Sequence, residues 1–143
     1  MKLPSNKDYI RLADIYAQAS LDTSRKTGCV IQRGTTTLMH GVNTFPRGVK
    51  PRVDKPEKYV FTEHAERNAI YACARLGHST EGATIFLTWF PCADCARAIV
   101  QSGIKKLVGY EPDWSEERYG FKDARTILEE GGVEIVFEER NVE

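Results

Sequence analysis

Two short segments hold side chains that could do chemistry together: His64-Ala65-Glu66 and Pro91-Cys92-Ala93-Asp94-Cys95. One imidazole and two thiolates are the ligand set of a zinc site with an open fourth position. A Cys-x-x-Cys pair that opens a helix turns both sulfurs toward one point beyond the helix end. There the helix dipole and the free N–H groups favour thiolate over thiol. Three protein ligands leave room for a water, and zinc brings the pKa of that water to about 7. A carboxylate beside the metal but not bound to it can then shuttle the water's proton, which is the role expected of Glu66. The expectation is one catalytic Zn2+ per chain on His64, Cys92 and Cys95. Either segment alone is a weak signal; both at helix starts, with a buried-strand pattern between them, are a strong one.

Geometry sets a condition on this reading. Residues two apart in an ideal helix project about 200° from each other, so His64 and Glu66 converge only if the site lies off the very end of the helix. A closed structural zinc would need a fourth ligand from Cys29, Cys73, His40 or His78. Cys73 lies nine residues after His64, roughly 13 Å along a straight helix and on its opposite face, which excludes it. Its neighbours Tyr71, Ala72 and Ala74 read as helix core, and Cys29 leads a Val-Ile strand, where free cysteine commonly sits. His40 and His78 are isolated, and Asp94 reads as a favourable first-turn acid.

The elements that must position these groups follow from periodicity and punctuation. Ser5 begins a Ser-x-x-Asp capping pattern before Tyr9, Ile10, Leu12, Ala13, Ile15, Tyr16, Ala17 and Ala19, a helix of about four turns. A strand from Gly28 and a strand over Thr37 to Asn43 flank the turn Arg33-Gly34-Thr35 as a hairpin. Three prolines make Pro46 to Pro56 a loop. Helix is expected from about Glu63 to Leu76, stopped by Gly77. Ala83 to Thr88 is a strand buried on both faces. A helix from about Cys92 to Ser102 follows, then a strand from Lys106 to Tyr110 and a loop from Glu111 to Gly120. A helix over Phe121 to Leu128, stopped at Gly131-Gly132, and a strand from Val133 to Phe137 complete the order αββαβαβαβ. That order predicts a three-layer α/β/α fold with a five-stranded mixed sheet, one domain over residues 1–143.

Composition narrows the class. The chain has 143 residues, 20 basic and 20 acidic side chains, zero formal net charge and 41% hydrophobic residues. A neutral total argues against a nucleic-acid polymer as partner, since such proteins carry a basic excess. No apolar run approaches the roughly 20 residues of a membrane span. The polar start from Met1 to Asp8 does not read as a signal peptide. Four unevenly spaced cysteines do not form a disulfide framework and suit a reducing compartment, so a cytoplasmic location is expected.

His-x-Glu followed by Pro-Cys-x-x-Cys resembles the signature of the zinc-dependent nucleobase deaminases. Beyond it, His64 to Ile70 (HAERNAI), Thr88 to Ala96 (TWFPCADCA) and Gln101 to Lys106 (QSGIKK) resemble deoxycytidylate (dCMP) deaminases, in the cytidine/deoxycytidylate deaminase superfamily. Upstream, Asn43 to Gly48 (NTFPRG) resembles the Asn-Gly-x-Pro-Arg-Gly turn of that family. The resemblance runs from about Tyr9 to Phe137. It implies a cytidine-deaminase-like fold and hydrolytic deamination of dCMP to dUMP and ammonia. Glu66 would take the proton of the attacking water and deliver one to N3 of the base. The backbone N–H of Ala65 would hold the base carbonyl, and Asn43 would contact the sugar-phosphate part. Trp89, Phe90 and Tyr110 could wall the base pocket. Arg25, Lys26 and Arg47 lie in segments the family places near the nucleotide phosphate, with Arg118 and Tyr119 as further possibilities. Relatives form homo-oligomers, commonly hexamers, and the resemblance extends that expectation to this chain.

The chain also departs from the family. Gly41-Val42-Asn43-Thr44 lacks the tyrosine and second glycine of the Gly-Tyr-Asn-Gly turn that accompanies triphosphate regulation. Gly48 to Thr62 holds no cysteine or histidine for an accessory zinc. A deaminase of cytidine, deoxycytidine, dCTP or guanine is the close alternative, and a zinc-stabilised interaction module without catalysis the distant one.

Overall fold

The first helix is the one its opening residues specify. In the computed structural model, which describes residues 1–54 and 56–140, Ser5 and Asp8 form a capping box. The Asp8 N–H donates to Ser5 Oγ (3.2 Å) and the Ser5 N–H to Asp8 Oδ2 (3.0 Å). Helix α1 (Asn6–Ala17) buries Tyr9, Ile10, Ala13 and Ala17, spaced for one face. Strands β1 (Gly28–Arg33) and β2 (Thr36–Val42) pair antiparallel. Their register slips between Ile31 and Gln32, leaving Leu38 as the extra residue of a bulge.

After the hairpin come α2 (Glu57–Phe61), α3 (Ala65–Leu76), β3 (Thr84–Leu87), α4 (Ala93–Gln101), β4 (Lys106–Gly109), α5 (Phe121–Glu130) and β5 (Glu134–Phe137). The sheet order is β2-β1-β3-β4-β5. β1 runs antiparallel to β2 and β3, while β3, β4 and β5 are parallel. The parallel part follows from the crossovers β3-α4-β4 and β4-α5-β5, since parallel neighbours need a helix between them. The expected five-stranded mixed sheet and the α/β/α layers are both present. Among the described residues no helix is long and apolar enough to cross a membrane.

The two faces divide the core. Val30, Phe86 and Val108 point to α1, where the Tyr9 and Phe86 rings stack with centroids 4.6 Å apart. Cys29, Ile31, Ile85, Leu87 and Leu107 point to the other face, under α3, α4 and α5. Each fully buried Ile, Leu or Phe contributes about 1.5–3 kcal/mol, so the short β3 is held from both sides. The helices approach closely at two glycines. A Cβ at Gly28 would meet Ala13 O at 2.2 Å, and one at Gly41 would meet Ala65 O at 2.2 Å. Gly77 ends α3 at φ 76°, the left-handed cap conformation open to glycine.

Three differences from the sequence expectation stand out. α1 has 12 residues, closer to three turns than four, ending where Gln18 leaves the helix. The strands are trimmed at their ends, β3 to Thr84–Leu87 and β4 to Lys106–Gly109. The five-residue α2 was not anticipated. It follows Pro56 directly, and its one buried side chain is a lysine, so no apolar periodicity announces it. Lys55, within the expected Pro46 to Pro56 loop, and residues 141–143 of the expected 1–143 domain lie outside the described residues.

Candidate metal centre and cleft

The 200° condition is met by the backbone. His64 is the N-cap of α3, with φ −73° and ψ 153°, so its side chain leaves an extended residue rather than the helix barrel. Glu66 lies in the first turn, buried at 7% exposure. Cys92 is likewise the N-cap of α4, with φ −71° and ψ 172°, and Cys95 follows in its first turn. Two helix N-termini therefore meet, each uncapped by a side chain. Their first-turn N–H groups have no intrahelical acceptor, and their dipoles favour negative charge in the space between.

His64, Cys92 and Cys95 present ligand atoms that all lie within 4.8 Å of one another. His64 Nδ1 is 3.5 Å from Cys92 Sγ and 3.3 Å from Cys95 Sγ. Tetrahedral zinc, with Zn–S about 2.3 Å and Zn–N about 2.0–2.1 Å, sets N and S about 3.5 Å apart, so the donor set fits that ion. Glu66 is not part of the ligand group among the described residues.

The protonation pattern suits a metal site. The Cys92 thiol is pushed down to about 4, first by the hydrogen bond from Cys95 and then, against the opposing pull of burial, by His64. Cys95 moves up, because its proton is held by Cys92 and it is buried beside Glu66. The two shifts are one event in a shared pair: its first proton leaves easily and its second is retained until a cation displaces it. Hydrogen bonding to Cys92 raises the His64 imidazole despite burial. Burial raises the Glu66 carboxyl and Cys92 adds to it, against its own backbone N–H, His64 and Cys95.

The neighbours hold both helix ends. Glu63 Oε1 accepts the His64 N–H (3.0 Å) and Arg67 Nε (2.7 Å). Arg67 Nη1 reaches Asp94 Oδ2 at 3.8 Å, linking the starts of α3 and α4. Asn68 Nδ2 donates to Val42 O (2.8 Å) and Glu63 O (3.2 Å), tying α3 to the end of β2. Cys29 and Cys73 are both buried in the core, and the Cys29 thiol donates to Ala65 O at 3.3 Å. Sequence reasoning passed over Glu63 and Asn68. Glu63 entered only as the start of the expected helix and Asn68 only within the HAERNAI stretch, because their partners Val42 and Arg67 are set by the fold.

His64, Glu66 and Cys92 open onto a cleft of about 250 Å³. Trp89 and Phe90 line it, and Phe90 also packs against Trp114, Phe121 and Phe137 with centroids 5.5–5.9 Å away. Arg25 lines it with its guanidinium carbon 3.5 Å above the Trp89 ring. Asn43 lines it too, but its carboxamide secures the neighbouring loop, accepting from the Thr27 N–H (2.9 Å) and donating to Arg25 O (2.8 Å). Ala65 is fully buried at the uncapped helix start. Arg118 and Tyr119 complete the rim.

Three expected contacts lie elsewhere. Tyr110 shares the face of Val108, two residues before it, and packs in the α1 core with Arg140 4.3 Å from its ring. Lys26 and Arg47 are exposed and do not line the cleft. Lys26 flanks the residues that Asn43 anchors, and Arg47 sits in the turn before Gly48, which has φ 81°. The cleft also contains a group that sequence reasoning missed, Asp22, Ser24 and Lys58.

The model of the cytidine and deoxycytidylate deaminase zinc-binding region matches residues 4–111. The chain is 34% identical over 139 residues to an uncharacterized deaminase in the luxG 3′ region of Aliivibrio fischeri, covering 92% of this chain and 91% of that protein. It is 51% identical over 72 residues to the deoxycytidylate deaminase of Enterobacteria phage T4, a match spanning 50% of this chain and 35% of that enzyme. It superposes on the dCMP deaminase of cyanophage S-TIM5 with a TM-score of 0.80 and 29% identity, over 96% of this chain and 100% of the other. That enzyme has also been solved in complex with dCMP and dUMP.

Proposed function

The chain belongs to the cytidine and deoxycytidylate deaminase family of hydrolytic deaminases, and from that premise we propose that its substrate is dCMP, converted with water to dUMP and ammonia. The observation that carries the reading is a buried carboxyl, Glu66, opening onto one cleft with His64 and Cys92 of the three-donor cluster without joining that cluster. Likeness to the T4 and cyanophage dCMP deaminases supports the choice of base and phosphate.

In this reading His64, Cys92 and Cys95 hold one zinc ion per chain. When bound, zinc supplies acidity, lowering the pKa of a water in its open position to about 7. Glu66 accepts a proton from the attacking water and returns it to N3 of the ring, and a second proton leaves with the amino group as ammonia. Burial, which raises the Glu66 carboxyl, suits it to carry a proton in both directions. The N–H of Ala65 donates to the base carbonyl, and Trp89 and Phe90 exclude water around the ring. Arg25 and Asn43 lie toward the sugar and phosphate. The same reading takes residues 1–143 as a single deaminase domain that works in the cytoplasm as a homo-oligomer.

Two measurements test it. Glu66→Gln should retain zinc by elemental analysis and lose at least about 100-fold in ammonia release; turnover at the unmutated rate would remove Glu66 from the mechanism. A panel of dCMP, CMP, dCTP, deoxycytidine, cytidine and guanine, with and without dCTP and dTTP, should give the highest kcat/KM for dCMP. A higher value for deoxycytidine would overturn the substrate.

A further inference from the structure

Helix α2 is inverted relative to an ordinary surface helix. Its Tyr59 and Val60 are 61% and 79% exposed, while Lys58 is 4% exposed. Lysine is almost never buried unless paired, because taking an ammonium out of water costs several kcal/mol. Lys58 Nζ lies 3.1 Å from Ser24 Oγ and 3.3 Å from Asp22 Oδ1. That same oxygen of Asp22 also accepts the N–H groups of Ser24 (2.7 Å) and Arg25 (3.0 Å). One carboxylate oxygen is thus shared among three donors, with Lys58 the most distant. An ammonium has three donors; Ser24 and Asp22 take two hydrogen bonds from this one, and the Tyr59 ring lies 5.3 Å away.

We propose that Lys58 is a specificity-determining residue, the cation that reads the phosphate monoester of the substrate and so separates a nucleotide from its nucleoside. The proposal rests on the reading above that the substrate is a nucleotide. Lys58 lines the cleft onto which Glu66 opens, so an acceptor on the substrate can complete its third hydrogen bond. The cleft holds three cations, Arg25, Lys58 and Arg118, against the carboxyl groups of Asp22 and Glu66. Arg25 and Arg118 are exposed, the first lying over Trp89 and the second beside Tyr119. Lys58 alone among these cations is buried, where a charge is screened least and its position is fixed before the ligand arrives. Asp22 aims it, since the accepting carboxylate oxygen is itself held by the backbone N–H groups of Ser24 and Arg25. A buried lysine serves a phosphate as a point charge and needs no bidentate geometry.

The test compares kcat/KM for dCMP and deoxycytidine in the unmutated enzyme, Lys58→Met and Lys58→Arg. Losing one charge-assisted hydrogen bond predicts that Lys58→Met lowers the dCMP-to-deoxycytidine ratio about 10- to 100-fold, mostly through KM for dCMP. Lys58→Arg should retain most of the preference. If Lys58→Met fails to fold, Lys58→Gln keeps a donor for Asp22 and Ser24 without the charge and should show the same drop. Where deoxycytidine turns over too slowly, the inhibition constants of dUMP and deoxyuridine supply the same ratio. A ratio within about twofold of the unmutated enzyme in the charge-removing variant overturns the proposal and leaves the substrate reading standing. An unmutated enzyme with no preference for dCMP overturns both.

Discussion

Gly41 gives the sharpest test of how the fold holds the site. A Cβ built there lies 2.2 Å from Ala65 O and 2.9 Å from both Cβ and N of Ala69. A carbon-to-oxygen contact needs about 3.2 Å, so in Gly41→Ala the first turn of α3 must retreat from β2 by about 1 Å. Overpacking costs about 1–3 kcal/mol, and the upper end applies because a backbone carbonyl cannot rotate away. At about 2.1 cal/mol/K per residue, 3 kcal/mol lowers the melting temperature of this chain by about 10 °C. Gly28→Ala is the control. Its Cβ would meet Ala13 O at 2.2 Å and Ala17 at 3.0 Å, the same clash against α1, which carries no ligand. Both variants should lose similar stability in thermal melts of the chelated protein. Only Gly41→Ala moves His64, so only it should lose zinc affinity, by about 10–100-fold in competition with a chromophoric chelator. Equal zinc loss in both variants, or unchanged stability in Gly41→Ala, would refute the reasoning.

Other outcomes follow from the same contacts. Burial pushes the Asp22 carboxyl up, but the N–H groups of Arg25 and Ser24 and the Lys58 ammonium outweigh it and hold the carboxyl below its ordinary value of 3.8. A depressed carboxylate contributes stability that is full above its unfolded pKa and lost as pH falls through the folded one. The melting-temperature advantage over Asp22→Asn should therefore persist from pH 7 to about 5 and shrink below about 4. Cys73→Ala should keep zinc by elemental analysis and cost about 1 kcal/mol in denaturant melts, whereas Cys92→Ser should lose the metal. Removing zinc with a chelator should lower the melting temperature and abolish deamination, with recovery on adding zinc but not magnesium, because thiolate donors do not suit the harder ion.

What was legible in the sequence was whatever local rules decide. The Ser5–Asp8 box, Gly77 and the apolar run at Ile85, Phe86 and Leu87 each carry their instruction within a few residues, and each lies where those rules put it. The candidate donors were legible because two sit at N-caps, His64 and Cys92, and the third, Cys95, in the following first turn, all marked by the start of the apolar pattern. The cleft was less so, because its residues come from five separate segments whose contact depends on tertiary packing. Tyr110 shows the limit. Proximity to the end of β4 placed it near the zinc loop, but strand alternation sends it to the face of Val108. Lys58 shows the converse, since a lysine in a charged, proline-rich stretch reads as solvated until Asp22 and Ser24 are brought to it.

The zero net charge also changes meaning once the cleft is known. Neutrality of the whole chain argues against a basic excess for a polymer, yet it coexists with three cations around one cleft of about 250 Å³. Such an arrangement acts on a ligand inside the cleft, because exposed charges beyond about 10 Å are screened by salt while a buried one is not. Lys58 and the two helix N-termini each contribute positive potential at a different part of the cleft lining. The helix ends meet at His64, Cys92 and Cys95, where thiolate charge would absorb it. Lys58 sits beside Ser24 and Asp22, and in the proposed role its third donor is the one that meets the phosphate. A nucleoside would leave that donor without an acceptor in a buried setting, and a monophosphate would complete it. Discrimination at Lys58 then comes from an unmatched group as much as from an attraction, which is why removing the ammonium should compress the preference between the two substrates.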